Sequence, residues 1–126
     1  MVSNVERGRS FLAAARDAVG RFLHVEFETE TPIPIGHPAR PHRFDLVSPD
    51  SLYVGEAKAF TWTASGNIPA AKITTLREAV AYLQALPAST RTFIVLLRSQ
   101  HPRREESLGG YFARLNEHVL GASRPV

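Results

Sequence analysis

Two carboxylates and an ammonium lie close together in the middle of this chain: Asp45, then ten residues, then Glu56-Ala57-Lys58. Paired carboxylates bind hard divalent cations, and a neighbouring lysine can orient a water or stabilise charge that develops on a phosphate. Whether the three side chains meet depends on the segment between them. Ser48-Pro49-Asp50-Ser51 has turn chemistry, with Pro49 pre-set for the second turn position. Residues 43–47 and 52–60 read as strands on either side of it, so the segment is a hairpin. A two-residue loop pairs Pro49 with Leu52, and a four-residue loop pairs Ser48 with Tyr53. Either loop sets Asp45 directly opposite Glu56, with Cβ atoms about 5 Å apart. Lys58 lies two residues on and shares that face. Facing carboxylates destabilise a sheet, and a bound cation would offset the cost. Oxygen ligands with spare water positions suit Mg²⁺. The alternative is a cross-strand salt bridge on a solvated face. The opposed register, the apolar setting of Val54, Ala57, Ala59 and Phe60, and the order of the surrounding elements favour a site. Gly55 removes a side chain where a ligand or backbone would approach closely.

The rest of the chain supplies the elements that hold this hairpin. Ser3-Asn4-Val5-Glu6 is a capping box. Phe11, Leu12, Ala15, Val19, Phe22 and Leu23 then mark one apolar face of a helix of about five turns. Residues 25–30 alternate apolar and polar, which predicts a strand with one wet face. Pro32, Pro34, Gly36, Pro38 and Pro41 predict a loop carrying His37, Arg40, His42 and Arg43. Pro69 opens a second helix, striped with Ile73, Leu76, Val80, Leu83 and Leu86. Residues 92–97 form an apolar run that predicts a strand buried on both faces. Ser107 caps a last helix with Leu108, Tyr111, Phe112, Leu115 and Val119 facing inward. The order is α-β-β-β-α-β-α, an α/β (α+β) arrangement in a single domain over 1–126. The third strand, second helix and fourth strand make a right-handed crossover, so the four-stranded sheet is mixed and flanked by helices.

Composition narrows the function classes. With 44% hydrophobic and 21% charged residues the chain is an ordinary globular one, and no apolar run approaches the roughly 20 residues a membrane span needs. The N-terminus lacks the basic-then-apolar layout of a signal peptide. There are no cysteines, which removes disulfides and cysteine metal sites and fits a cytoplasmic home. The net charge of +3 is compatible with a polyanionic partner. His37, Arg40, His42 and Arg43 in one loop, and Arg98, His101, Arg103 and Arg104 in another, could track a phosphate backbone or be solvated surface. Trp62 reads as a base-stacking residue, a partly buried aromatic or a dimer contact. His37, His42 and His101 lack zinc-ligand spacing, and Gly109-Gly110 lacks the signature of a phosphate-cradling loop.

The spacing of Asp45 and Glu56-Ala57-Lys58, together with the element order around it, resembles the PD-(D/E)xK, restriction-endonuclease-like nucleases. The stretches Pro32-Ile33-Pro34-Ile35-Gly36, Pro41-His42-Arg43-Phe44-Asp45-Leu46-Val47-Ser48 and Lys58-Ala59-Phe60-Thr61-Trp62-Thr63 look like a little-characterised bacterial branch of that superfamily. The resemblance covers nearly the whole chain. It implies an α-β-β-β-α-β core followed here by a C-terminal helix, Mg²⁺ (or Mn²⁺) on Asp45 and Glu56, and Lys58 as the catalytic lysine. Lys72, in the first turn of the second helix, occupies a place where similar nucleases carry a polar residue near the site. Phe44 stands where the family has proline. Leu12 stands where many members carry a further acid on the first helix, which puts a second metal in doubt. The expected function is metal-dependent hydrolysis of DNA phosphodiesters. The alternative is a non-catalytic nucleic-acid-binding or protein-interaction module that keeps the nuclease fold. A homodimer is expected, because one small domain has one site and a duplex has two strands. Tyr53, Phe60, Trp62, Tyr111 and Phe112 would supply exposed aromatic area for the contact, or pack under the last helix.

Overall fold

Ser3 starts the first helix as the sequence predicts. Its hydroxyl accepts from the Glu6 N–H at 3.1 Å, and the Glu6 carboxylate accepts from the Ser3 N–H at 3.4 Å. Helix α1 (Asn4–Leu23) ends where His24 takes a left-handed conformation. The computed structural model describes residues 3–62, 65, 66, 70–97, 99 and 101–115, without the side chains of Asn4, Tyr111, Phe112 and Leu115. Arg98, Pro69 and Val119 therefore lie outside the described residues. The remaining elements are β1 (Glu28–Ile35), β2 (Arg40–Val47), β3 (Tyr53–Lys58), α2 (Ala70–Gln84), β4 (Arg91–Leu96) and α3 (Leu108–Leu115). The chain is α+β: among the described residues there is a four-stranded mixed sheet in the order β1-β2-β3-β4, with three helices. β1, β2 and β3 are antiparallel neighbours, and β3 and β4 are parallel, as a connection through α2 requires. No helix among the described residues is long and apolar enough to cross a membrane.

The proline-rich stretch differs from expectation. It is strand rather than loop: β1 runs to Ile35, and β2 begins at Arg40, so Arg40, His42 and Arg43 are strand residues. Pro32 pairs with Arg43 and Pro34 with Pro41. β1 is the edge strand, where a residue without an N–H breaks no ladder bond if it faces outward. Pro32 and Pro34 fall on the exposed phase of the strand, while Ile33 and Ile35 pack against the core. Only Gly36 to Ala39 remain as a turn, with Gly36 at φ 84°.

Two apolar layers sandwich the sheet. Ile73, Leu76, Val80 and Leu83 of α2 pack on Phe44, Val47, Val54 and Ile94. Ala15, Phe11, Leu12 and Val19 of α1 pack with Phe27, Leu46 and Phe93. Phe22, expected on the inner face of α1, is 81% exposed. Trp62 is buried in the α2-side core, edge-on to His101 at 4.9 Å, so it is a core residue and not a base-stacking platform. Tyr53 and Phe60 are half-buried against the two cores, which removes the aromatic patch expected to support a dimer among the described side chains. Gly55 also has a different reason from the one expected. A Cβ there would overlap the ring of Phe93 on β4, so the glycine admits an aromatic ring rather than a ligand. Gly55→Ala is expected to cost about 1–3 kcal/mol through overpacking, read as a lower urea midpoint with unchanged slope.

Candidate active site

The hairpin turn sets the register. The Ser48 N–H donates to the Tyr53 carbonyl at 2.9 Å, while the Ser48 hydroxyl donates to Asp50 at 2.6 Å and accepts from the Tyr53 N–H at 2.9 Å. Val47 then pairs with Val54 and Leu46 with Gly55, the four-residue-loop register. The ladder stops there, one step short of the expected Asp45–Glu56 pair. The cause is a roll in β2. Residues two apart on a strand share a face, yet Phe44 belongs to the α2-side core and Leu46 to the α1-side core. Across β1, Thr29 pairs with Leu46 and Thr31 with Phe44. The residue left opposite Asp45 is Glu30, which holds a φ of 51°, a conformation that glutamate rarely adopts. β2 therefore turns over at Asp45 and leaves β3. The Asp45 carboxylate bridges the opening by accepting the Ala57 N–H at 2.8 Å.

The three predicted residues do converge. The Lys58 ammonium lies 3.6 Å from Asp45 Oδ2 and 4.0 Å from Glu56 Oε2. Glu56 is only 3% exposed. Burial, a hydrogen bond with Asp45 and the Asp45 charge push its carboxyl up to about 9, against a smaller opposing pull from Lys58. Burial disfavours the charged form of any acid, so at neutral pH and without metal Glu56 holds a proton. His42 completes the cluster. Its Nε2 is 3.4 Å from Glu56 Oε1, and its ring stacks on Tyr82 of α2 at 3.8 Å and 16°. Burial lowers the His42 pKa, the Asp45 charge raises it and the Lys58 charge lowers it again.

Two grooves meet at Asp45 and Lys58. One, of about 600 Å³, runs from Arg7, Gly8, Arg9 and Leu12 of α1 past Glu30 to Lys72 of α2. The other, of about 200 Å³, lies on the α2 side with Arg43, His42 and Tyr82. Of the predicted phosphate contacts, Lys72 and Arg43 therefore flank the cluster. Arg40 does not approach it; it pairs with Ile35 at the outer end of β2. Arg103 and Arg104 serve their own loop. Arg103 donates to the Ser65 carbonyl at 2.5 Å, and the Arg104 guanidinium sits 5.5 Å from the Trp62 ring centre. His101 organises that loop: Nδ1 accepts from the backbone N–H groups of Arg103 and Arg104, and Nε2 bonds the Gly66 carbonyl at 3.0 Å.

Sequence reasoning placed His42 in a basic loop rather than beside Glu56, and missed Glu30. Strand parity puts residue 42 on the face opposite Asp45; the roll in β2 reverses that. Glu30 could be placed opposite Asp45 only by reading the proline stretch as strand.

Among the described residues no group of three or more His, Cys, Asp or Glu is spaced to hold a metal. Asp45 and Glu56 bring two carboxyl groups together, with Lys58 beside them. Two adjoining carboxyl groups, one of them buried and holding a proton, are a donor set that a divalent cation fits by displacing that proton. Two carboxylates with waters or substrate oxygens filling the other positions is the usual protein share of a Mg²⁺ site.

The chain matches no protein-family model, no curated protein and no solved structure.

Proposed function

We propose that this chain is a metal-dependent nuclease of the PD-(D/E)xK kind, with a restriction-endonuclease-like core, that hydrolyses DNA phosphodiesters. The observation that carries the reading is the buried Glu56 carboxyl held with Asp45 under the Lys58 ammonium, at the meeting of two grooves. A salt bridge on a solvated face has no reason to bury one partner so far that burial alone favours its neutral form. Asp45 and Glu56 would hold Mg²⁺ or Mn²⁺. When bound, the ion supplies charge neutralisation at the phosphate and a more acidic water. Lys58, 3.6 Å from Asp45 and 4.0 Å from Glu56, would orient the attacking water or stabilise charge on the phosphate oxygens. His42 Nε2 lies 3.4 Å from Glu56 Oε1 and would donate to that carboxylate once it is ionised, while the Tyr82 ring stacks on the imidazole. Arg43 and Lys72 lie where a phosphate backbone would pass on either side.

A second reading has one observation in its favour. Leu12 lines the larger groove, so α1 brings an apolar side chain where the resembling nucleases bring an acid. A groove that binds nucleic acid without cutting it would look the same. Incubation with plasmid, single-stranded and branched DNA separates the two. Cleavage is expected only with added Mg²⁺ or Mn²⁺ and is expected to vanish in Asp45→Ala. Cutting that survives Asp45→Ala would assign the activity elsewhere, and binding without cutting under every condition would favour the second reading. A homodimer would let one encounter cut both strands, and double-strand products in the same assay would support it.

A further inference from the structure

The face of α1 centred on Gly8 carries charge that the proposed hydrolysis does not use. The larger groove holds four basic side chains, Arg7, Arg9, Lys58 and Lys72, against two acidic ones, Glu30 and Asp45. Lys58 is engaged with Asp45, and Lys72 lies over the Phe60 ring at 4.8 Å. Arg7 and Arg9 have no ion-pair partner among the described residues. Successive helical residues turn about 100°, so Arg7 and Arg9 project to either side of the direction Gly8 faces. A glycine inside a helix costs about 1 kcal/mol relative to alanine. Packing does not require it here, since a Cβ on Gly8 would meet nothing within 4 Å. The result is an open notch on the groove wall with a guanidinium on each side. Guanidinium forks match phosphate oxygens in geometry as well as charge.

We infer that Arg7 and Arg9 form a clamp for the phosphate backbone of a nucleic-acid strand, with Gly8 leaving room for close approach. The strand crosses from this clamp over Lys58 toward Lys72 on the opposite wall. The inference rests on the nuclease reading for what happens at Lys58, but binding at α1 is separable from cutting. Neither arginine is marked by its sequence context, because both sit on the polar side of an amphipathic helix.

Fluorescence anisotropy with a short labelled duplex, and with one of its strands alone, tests this across a salt titration with Ca²⁺ in place of Mg²⁺. Paired substitution Arg7→Ala/Arg9→Ala is expected to weaken binding on the order of tenfold and to lower the log–log salt slope by about 1 to 2. Arg7→Lys/Arg9→Lys should recover the slope. Arg16→Ala/Arg21→Ala is the control, since those residues line a separate cleft of about 650 Å³ at the other end of α1; it should bind as the unmodified chain does. Equal affinity and slope in the Arg7/Arg9 alanine variant, with circular dichroism showing an intact fold, overturns the clamp and leaves the nuclease reading standing. No binding of either probe by the unmodified chain overturns it too. Weakened binding in the variant, from a protein that cuts no DNA with Mg²⁺ or Mn²⁺, supports the clamp and sinks the nuclease reading instead.

Discussion

Lys58→Met is expected to slow DNA cleavage by at least about a hundredfold while Mn²⁺ binds as tightly as before or a few-fold tighter. The first half follows from the role proposed for the ammonium. A preorganised donor aimed at developing charge is worth about 10²–10³ in rate, and methionine keeps the aliphatic reach of lysine while removing the charge. The second half follows from the geometry. In the metal-free site the ammonium sits 3.6 Å from an Asp45 oxygen and 4.0 Å from a Glu56 carboxyl oxygen, the two groups that would bind the ion. It competes with the metal for the same oxygens, and its removal takes the competitor away. Asp45→Ala should behave differently, losing metal affinity and rate together. Single-turnover cleavage and Mn²⁺ titration, run on both variants, separate the two effects. If Lys58→Met lost metal affinity as Asp45→Ala does, the lysine would be part of the metal-site scaffold, and the proposed role at the phosphate would fall.

The convergence of Asp45, Glu56 and Lys58 was legible in the sequence because it depends on a local quantity. Ser48-Pro49-Asp50-Ser51 fixes a turn, the turn fixes the register, and parity puts Glu56 and Lys58 on one face. The helices were legible for a similar reason, since capping at Ser3 and the stripe from Ile73 to Leu83 are carried by neighbouring residues. What escaped depends on contacts between distant segments. Prolines at 32 and 34 read as breakers until the partner strand shows that β1 is an edge. The need for Gly55 comes from Phe93, 38 positions away on β4. The roll at Asp45 places His42 against Glu56 and Glu30 across from Asp45; it follows from how two cores share one sheet, and no residue of β2 announces it. Trp62 reads from sequence as either a base-stacking or a partly buried aromatic, and the packing of His101 and Leu108 around the same core decides for the buried one.

Metal-free protein is expected to lose stability as pH rises from 7 to 9, and saturating Mn²⁺ is expected to abolish that slope. Glu56 has a folded-state pKa raised from 4.5 to about 9, through burial first and Asp45 second. Between those values the folded chain holds a proton that the unfolded chain has released. Stability changes with pH as the protons bound in the unfolded state minus those bound in the folded state, which here is negative. The contribution of Glu56 is therefore fully present below pH 4.5 and is lost as pH climbs through 9. Other shifted groups act elsewhere. Asp50, through its hydrogen bond with Ser48, and Glu106, through its hydrogen bond with Arg114, have lowered pKa values and so titrate on the acid side of this window. His42 is lowered from 6.5, so its effect is complete by neutral pH. Glu56 is the group with a raised pKa whose titration falls in the window from 7 to 9, and the loss across it should be about 2 kcal/mol. Bound metal requires the ionised carboxylate, which makes the proton count of folded and unfolded states equal and the slope zero. Urea unfolding at several pH values, with EDTA or with Mn²⁺, measures both curves. Glu56→Gln, which cannot titrate, should be flat in EDTA and should gain little from Mn²⁺. A metal-free chain whose stability is level or rising from pH 7 to 9 would show that Glu56 is already ionised, and the buried proton on which metal exchange depends would not exist.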